Sequence, residues 1–320
     1  MKPYFYYQGI KELARKLKGN ENIYLGIRPY GFHAGNATTM IVYPFLLCRE
    51  LEKLSKIAQF NFYVFLNDWE QDSLDGPNPK LYPFNIMPKF TTWQYMHDPV
   101  DENRLVVDFW KKVIVNNISL VKHYYPKVKV IPVMNSQMKQ FKEMKSCIFK
   151  TINHPEIITQ TLKQYTNKKI LSAPVIYSSA VCPHCHAARG VSKVIAKKNQ
   201  VFHSCKNCGK KSNGKYRDFN YWLYHKPLAL PRISVYKIDL CITGSDHFEE
   251  GDFVVRQNLF KRYGFKTKSP LTLYASSIYG SDGNVMGKSR GNARLIDLDK
   301  LINLVLVNKD KKHITIPEKI

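Results

Sequence analysis

The apolar run Asn22-Ile23-Tyr24-Leu25-Gly26-Ile27 ends directly in Arg28-Pro29-Tyr30-Gly31-Phe32-His33-Ala34-Gly35-Asn36, and a helix-length apolar segment follows from Thr38 to Leu54. A short continuous apolar run reads as a strand buried on both faces, the habit of parallel sheets. Strand, glycine-containing turn and helix start together form a phosphate cradle, because unpaired N–H groups and the dipole at a helix N-terminus attract anions. About 250 residues later, Val285-Met286-Gly287-Lys288-Ser289-Arg290-Gly291-Asn292 reads as a loop able to bring one cation, Lys288, to the same phosphates.

The segments around these two stretches alternate in kind. Phe60 to Leu66 reads as a second buried strand ending in the polar tip Asn67-Asp68-Trp69-Glu70, where doubly wound sheets present ligand groups. Residues 73–103 are rich in Pro, Asn and Asp and read as a long functional loop. Leu105 to Tyr125 follows helical periodicity, Lys127 to Val133 reads as a strand and Met134 to Phe149 as a helix. Ile238 to Ile242, His247 to Tyr263 and Ser269 to Ala275 resume as strand, helix and strand. The expected fold is α/β: a Rossmann-like parallel sheet with helices on both faces.

Between the two halves lies a Lys-rich, cysteine-bearing stretch with little apolar periodicity. Cys182-x2-Cys185 and Cys205-x2-Cys208 carry the spacing of a zinc ribbon, in which each pair sets two thiolates on one side of a tetrahedral ion. One such pair alone could be a redox motif; two favour a structural Zn²⁺. A closed set of four thiolates has no open position for catalysis, and His184, His186 and His203 nearby read as ribbon residues. Cys48, Cys147 and Cys241 sit singly in apolar contexts, as reduced core cysteines do. The expected division is residues 1–175 for the first part of the sheet domain and 176–217 for a zinc-ribbon insertion. Residues 218–292 then form the second part with the late loop, and 293–320 a short helical tail.

Composition narrows the partners. Lys plus Arg number 49 against 25 Asp plus Glu, a formal net charge of +24. That excess favours a polyanion such as nucleic acid, bound in a salt-dependent way, although a Lys-rich composition for solubility would look the same. The cations of the cysteine module make it a candidate RNA contact. The longest apolar stretch, Met40 to Cys48, is far short of the roughly 20 residues a bilayer span requires. Met1-Lys2-Pro3-Tyr4 lacks the apolar core of a secretory signal. A cytoplasmic location and no membrane partner are the expectations.

The His33 turn and the Lys288 loop resemble the HIGH and KMSKS signatures of class I aminoacyl-tRNA synthetases. Gly244-Ser245-Asp246-His247 resembles the G-x-D-H element of the class I lysyl-tRNA synthetases, and the cysteine insertion and the helix around Phe109 occupy corresponding places. The resemblance covers roughly residues 20–295 and implies a nucleotide-binding sheet of the HUP type. It also implies a ligase that makes an aminoacyl-adenylate from ATP and passes the acyl group to an RNA 3′ end. ATP, Mg²⁺ and structural Zn²⁺ are the implied cofactors, and tRNA or a tRNA-like RNA the implied partner. Catalysis then falls to His33, Asn36 and Lys288. Gly31, Gly35, Gly244, Asp246, His247, Met286 and Ser289 would hold ATP.

Lysine is the implied amino acid, with Arg28, Asp68, Tyr221 and Trp222 as candidate contacts; Glu70, Asp72, Asp246 and Trp69 are further candidates. Its ammonium needs a carboxylate, since an unpaired charge is costly to desolvate. Asn36 stands where HIGH ends in His, and Val285 and Gly287 replace the first Lys and Ser of KMSKS. The chain is expected to be a catalytic core without the family's anticodon-binding domain, served by a separate anticodon-reading or acceptor partner. Two other functions remain open: adenylation of an amino acid for a non-tRNA acceptor, and a catalytically inert zinc-containing RNA-binding protein.

Overall fold

A computed structural model describes residues 3–29, 32–70, 91–98, 101–166, 178–266, 269–286 and 297–316. The strands are β1 (Tyr4–Phe5), β2 (Asn22–Ile27), β3 (Asn61–Leu66), β4 (Lys129–Met134), β5 (Ser178–Ala180), β6 (Gly190–Ile195), β7 (Gln200–Cys205), β8 (Lys211–Lys215), β9 (Tyr221–Leu223), β10 (Leu240–Gly244), β11 (Leu271–Ala275), β12 (Ser277–Tyr279) and β13 (His313–Thr315). The helices are α1 (Tyr6–Lys16), α2 (Ala34–Ala37), α3 (Tyr43–Lys53), α4 (Val106–Ser119), α5 (Val121–Tyr124), α6 (Asn135–Met138), α7 (Lys142–Asn153), α8 (Pro155–Tyr165), α9 (His225–Val235), α10 (Asp246–Glu249), α11 (Asp252–Arg262) and α12 (Leu298–Val307).

Six strands form one sheet in the order β1-β11-β10-β2-β3-β4, and every neighbouring pair is parallel. Both faces are covered, so the strands are apolar on both sides. Ile23 and Leu25 of β2 and Phe62 and Val64 of β3 pack into one core with α1, α3 and α4 residues. Phe65 and Val133 pack into the other, with residues of α7, α8, α9 and α11. The α/β reading with a parallel sheet therefore holds.

Three long expected helices are interrupted. Leu120 separates α4 from α5, residues 139–141 separate α6 from α7, and Gly251, at φ +73°, separates α10 from α11. The segment after the His33 turn is continuous from Ala34 to Lys53 but widens into a π-turn at Thr38–Val42. Pro44, which cannot donate an N–H, lies immediately beyond that wide turn.

Outside the main sheet, β6, β7 and β8 form a three-stranded antiparallel sheet, β5 pairs with β9, and β12 pairs in parallel with β13. Among the described residues no helix is long and apolar enough to cross a membrane.

Candidate active site

Strand order reverses between β2 and β10, and crossovers leave this junction in opposite directions. The carboxyl ends of two such strands open a crevice, the usual ligand position of a doubly wound sheet. A cavity of about 370 Å³ lies there, lined at the sheet by Gly26 and Ile27 of β2 and Ile242 and Thr243 of β10.

The turn after β2 supplies one wall, with Arg28, His33 and Asn36. His33 caps the following helix: its Nδ1 accepts the Gly35 N–H at 3.1 Å. That bond places the proton of the neutral ring on Nε2. A Cβ on Gly35 would stand 3.0 Å from His33 Cε1, so a side chain there would press on the capping ring; the same point is 3.9 Å from the Met286 carbonyl oxygen. Met286 donates its N–H to Ile278, and Val285 bridges Tyr279. The start of the late loop thus abuts the early histidine turn. Asn36 Oδ1 is buried and has no hydrogen-bond partner. An amide can present either its oxygen or its NH₂ by rotation, so this group lacks a partner in a ligand-sized space.

The tip of β3 supplies the second wall. Asn67 and Glu70 line the cavity, whereas Asp68 and Trp69 turn into the protein and are buried. Glu70 accepts from Arg28 Nη2 at 3.2 Å and from Asn67 Nδ2 at 2.6 Å, and His225 Nδ1 stands 3.7 Å away. Burial raises the pKa of this carboxyl, but the Arg28 charge and His225 together outweigh it and hold it at about 2.

Helices α9, α10 and α11 close the third side. Lys226, nearly buried, pairs with Asp252, whose other oxygen is 3.2 Å from His247 Nδ1. Burial lowers the pKa of both His225 and His247, so both rings are neutral near pH 7. Arg232 is buried and donates to Tyr24 Oη at 2.6 Å, Asn135 Oδ1 at 2.7 and 3.0 Å and Asn67 Oδ1 at 3.3 Å. Arg256 donates to Thr272 Oγ1 at 2.6 Å. Neither arginine meets a carboxylate among the described residues. The permanent charges on the wall are therefore four cations, Arg28, Lys226, Arg232 and Arg256, against two carboxylates, Glu70 and Asp252. Such a cavity attracts an anion.

The sequence-based candidates separate accordingly. Arg28, His33, Asn36 and His247 line the cavity, with Gly35 and Met286 beside the His33 turn. Gly244 and Asp246 adjoin it without lining it; Asp246 Oδ1 lies only 2.3 Å from where a Cβ on Gly244 would be. Gly31, Lys288, Ser289 and Asp72 lie outside the described residues, as do residues 73–90 and 99–100 of the long loop.

Three candidates are elsewhere. Asp68 accepts the N–H groups of Asn135, at 2.8 Å, and Ser136, at 3.4 Å, and so holds the start of α6; burial pushes its pKa up to about 6 despite these bonds. Tyr221 is fully buried and donates to the Tyr216 carbonyl. Trp222 packs with Val181, Ala188 and Tyr95. Asn67 and Glu70 of the expected polar tip do line the cavity, whereas sequence reasoning passed over Tyr24, His225, Lys226, Arg232, Asp252 and Arg256. The available signal was position: His225-Lys226 opens a helix directly after a short strand, and Asp252 opens one after Gly251.

The four cysteines come together as their spacing predicts. Cys182 and Cys208 sulfurs are 3.7 Å apart, as are those of Cys185 and Cys205, and all four lie within 4.8 Å of one another. These separations are far beyond a disulfide bond and match the edges of a tetrahedron with sulfur about 2.3 Å from its centre. The Asn207 N–H donates to Cys205 Sγ at 3.3 Å, and the Asn207 amide to Cys185 Sγ. His203 is buried and pairs with Ser192, and no histidine joins the set.

A family model described as tRNA synthetases class I (K) matches residues 11–305. Among solved structures, the chain is similar to a Campylobacter jejuni protein described provisionally as an arginyl-tRNA synthetase. The two share 14% identity over 97% of this chain and 70% of that one, with a TM-score of 0.33. No curated protein sequence matches. The matched range takes in the His33 turn, the four cysteines, the G-S-D-H element and the Lys288 loop, and by that match the chain belongs to the family of tRNA synthetases class I (K).

Proposed function

We propose that the chain activates an amino acid with ATP and transfers it to the 3′ end of an RNA. The observation that carries this reading is the cation-rich cavity at the strand-order reversal, with His33 and Asn36 of the early turn and His247 of the G-S-D-H element on its wall. In the first step a carboxylate oxygen of the amino acid attacks the α-phosphorus. The bond from that phosphorus to its bridging oxygen breaks, and pyrophosphate leaves. A ribose hydroxyl of the RNA then attacks the acyl carbon and AMP departs.

Charge builds on the non-bridging phosphate oxygens, so positioned donors supply most of the acceleration. His33 Nε2–H and the Asn36 amide would donate to those oxygens, and Lys288 would approach from the loop that follows Met286. Asp252 would hold His247 and Lys226 in fixed orientation. Mg²⁺ on the nucleotide would neutralise the leaving pyrophosphate. His247, Glu250 and Asp252 are close enough to share a cation. However, Asp252 already pairs with Lys226, so the nucleotide's own phosphates are the better ligands. The four thiolates suit a structural Zn²⁺.

For the amino acid we propose lysine. Glu70 is held ionised on the cavity wall, and an ammonium could share it with Arg28.

Exchange of labelled pyrophosphate into ATP, run with each of the twenty amino acids, tests the reading. Lysine-dependent exchange, lost in His33→Ala and Lys288→Ala, is expected. Exchange without charging of any tRNA would redirect the activity to another acceptor. No exchange with any amino acid would refute activation and leave an RNA-binding protein.

A further inference from the structure

The sheet of β6, β7 and β8 has one face turned to the protein and one to solvent. Val194, Val201 and His203 are buried on the inner face. On the outer face the register places Lys193, Phe202 and Asn213 side by side across the three strands. Val191 on β6 and Lys211 and Lys215 on β8 occupy corners of the same grid and are exposed. Phe202 stands at the centre, on the middle strand, 37% exposed, and Val191 is 59% exposed. Phe202 keeps more than a third of its surface in solvent, and its neighbours on that face, Lys193, Ser204, Gln200 and Asn213, are polar or charged, so the ring offers an apolar surface that a ligand can cover.

The charge around it has one sign. From Ser178 to Arg217 the sequence holds nine Lys and Arg residues and no Asp or Glu. Even with four thiolates around a divalent ion, the module remains strongly positive.

We propose that this face binds an unpaired stretch of RNA, with a base stacked on Phe202 and the flanking phosphates on Lys193, Lys211 and Lys215. Neighbouring strands are about 4.8 Å apart and alternate residues about 7 Å along a strand, so these cations reach both phosphates of a nucleotide seated on the ring. A duplex hides its base faces, whereas a single strand offers them to an aromatic platform in a positive field. The proposal is independent of amino-acid activation: an inert protein with this module would bind the strand equally well.

The test uses the full chain and a labelled oligouridine of about 12 nucleotides, within the length range of such platforms, followed by fluorescence anisotropy over a salt series without ATP or amino acid. Phe202→Ala is expected to weaken binding about 10-fold or more, as loss of one base stack does, with the salt slope unchanged. Phe202→Trp should restore affinity. The double variant Lys211→Gln/Lys215→Gln should reduce the slope of log affinity against log salt by about 1.4, at about 0.7 per lost phosphate contact. Parental affinity in Phe202→Ala, or equal affinity of the parent for a hairpin duplex, would overturn the proposal. So would loss of self-association in Phe202→Ala with RNA binding intact, which would make the face an interface between copies. The β8 double variant keeps the test decisive if Phe202→Ala fails to fold.

Discussion

Asp68→Asn isolates the energetic cost of the turn that delivers Asn67 and Glu70 to the cavity. Asp68 is 1% exposed and accepts from the N–H groups of Asn135 and Ser136, and among the described residues it forms no ion pair. Burial raises its pKa from 3.8 to about 6. The folded state therefore binds the proton more tightly than the unfolded chain, and stability falls as pH rises from about 4 through 6. At about 1.4 kcal/mol per pKa unit, the full difference is about 3 kcal/mol, of which about 2 kcal/mol falls between about pH 4.5 and 7.5. Asparagine keeps an acceptor for the Asn135 N–H and does not titrate, so whatever it loses is constant with pH. Urea unfolding of parent and variant, followed by tryptophan fluorescence at the two pH values, reads the difference directly. The parent should lose about 2 kcal/mol relative to the variant on going to the higher pH. Curves that stay parallel, or a parent that gains relative to the variant, would refute the assignment of Asp68 as a buried, unpaired carboxyl.

Gly35→Ala forces a methyl to within about 3 Å of the His33 ring and should break the cap; a stability loss of about 1 kcal/mol is expected from thermal unfolding, with slower pyrophosphate exchange. Cys208→Ser removes one of four sulfurs, so bound zinc, measured by a chromogenic chelator after denaturation, should fall from about one per chain toward zero. The ribbon should then become the first site of proteolysis.

The sheet was legible in the sequence because strands buried on both faces are continuous apolar runs, as Asn61–Leu66 and Leu240–Gly244 are. The cysteine cluster was legible because its spacing is a local requirement of tetrahedral geometry. Helix interruptions at Leu120 and Gly251 were not, since helical periodicity continues across a break that only tertiary packing decides. The wall of the cavity was half legible. His33 and His247 sit in compact motifs, but Lys226, Arg232 and Asp252 reach the site by folding and look in the sequence like ordinary surface charges. Asp68 and Glu70 show the limit most clearly. They are two residues apart in one polar tip, yet one holds a helix and the other faces the ligand space, and no composition or period separates them.

The long reach of the strand pairing has a consequence for synthesis. Asn22–Ile27 emerges from the ribosome well before its partner in the crevice, Leu240–Gly244, which follows more than two hundred residues later. The segment leading to Met286 is anchored later still, by pairing of Ser277–Tyr279 with His313–Thr315. A nascent chain can lay down β2, β3 and β4 in order, but it cannot close the cavity between β2 and β10 until Leu240–Gly244 has been made. Until then the apolar edge of β2 stands open, the interval in which such a chain is most exposed to misassembly.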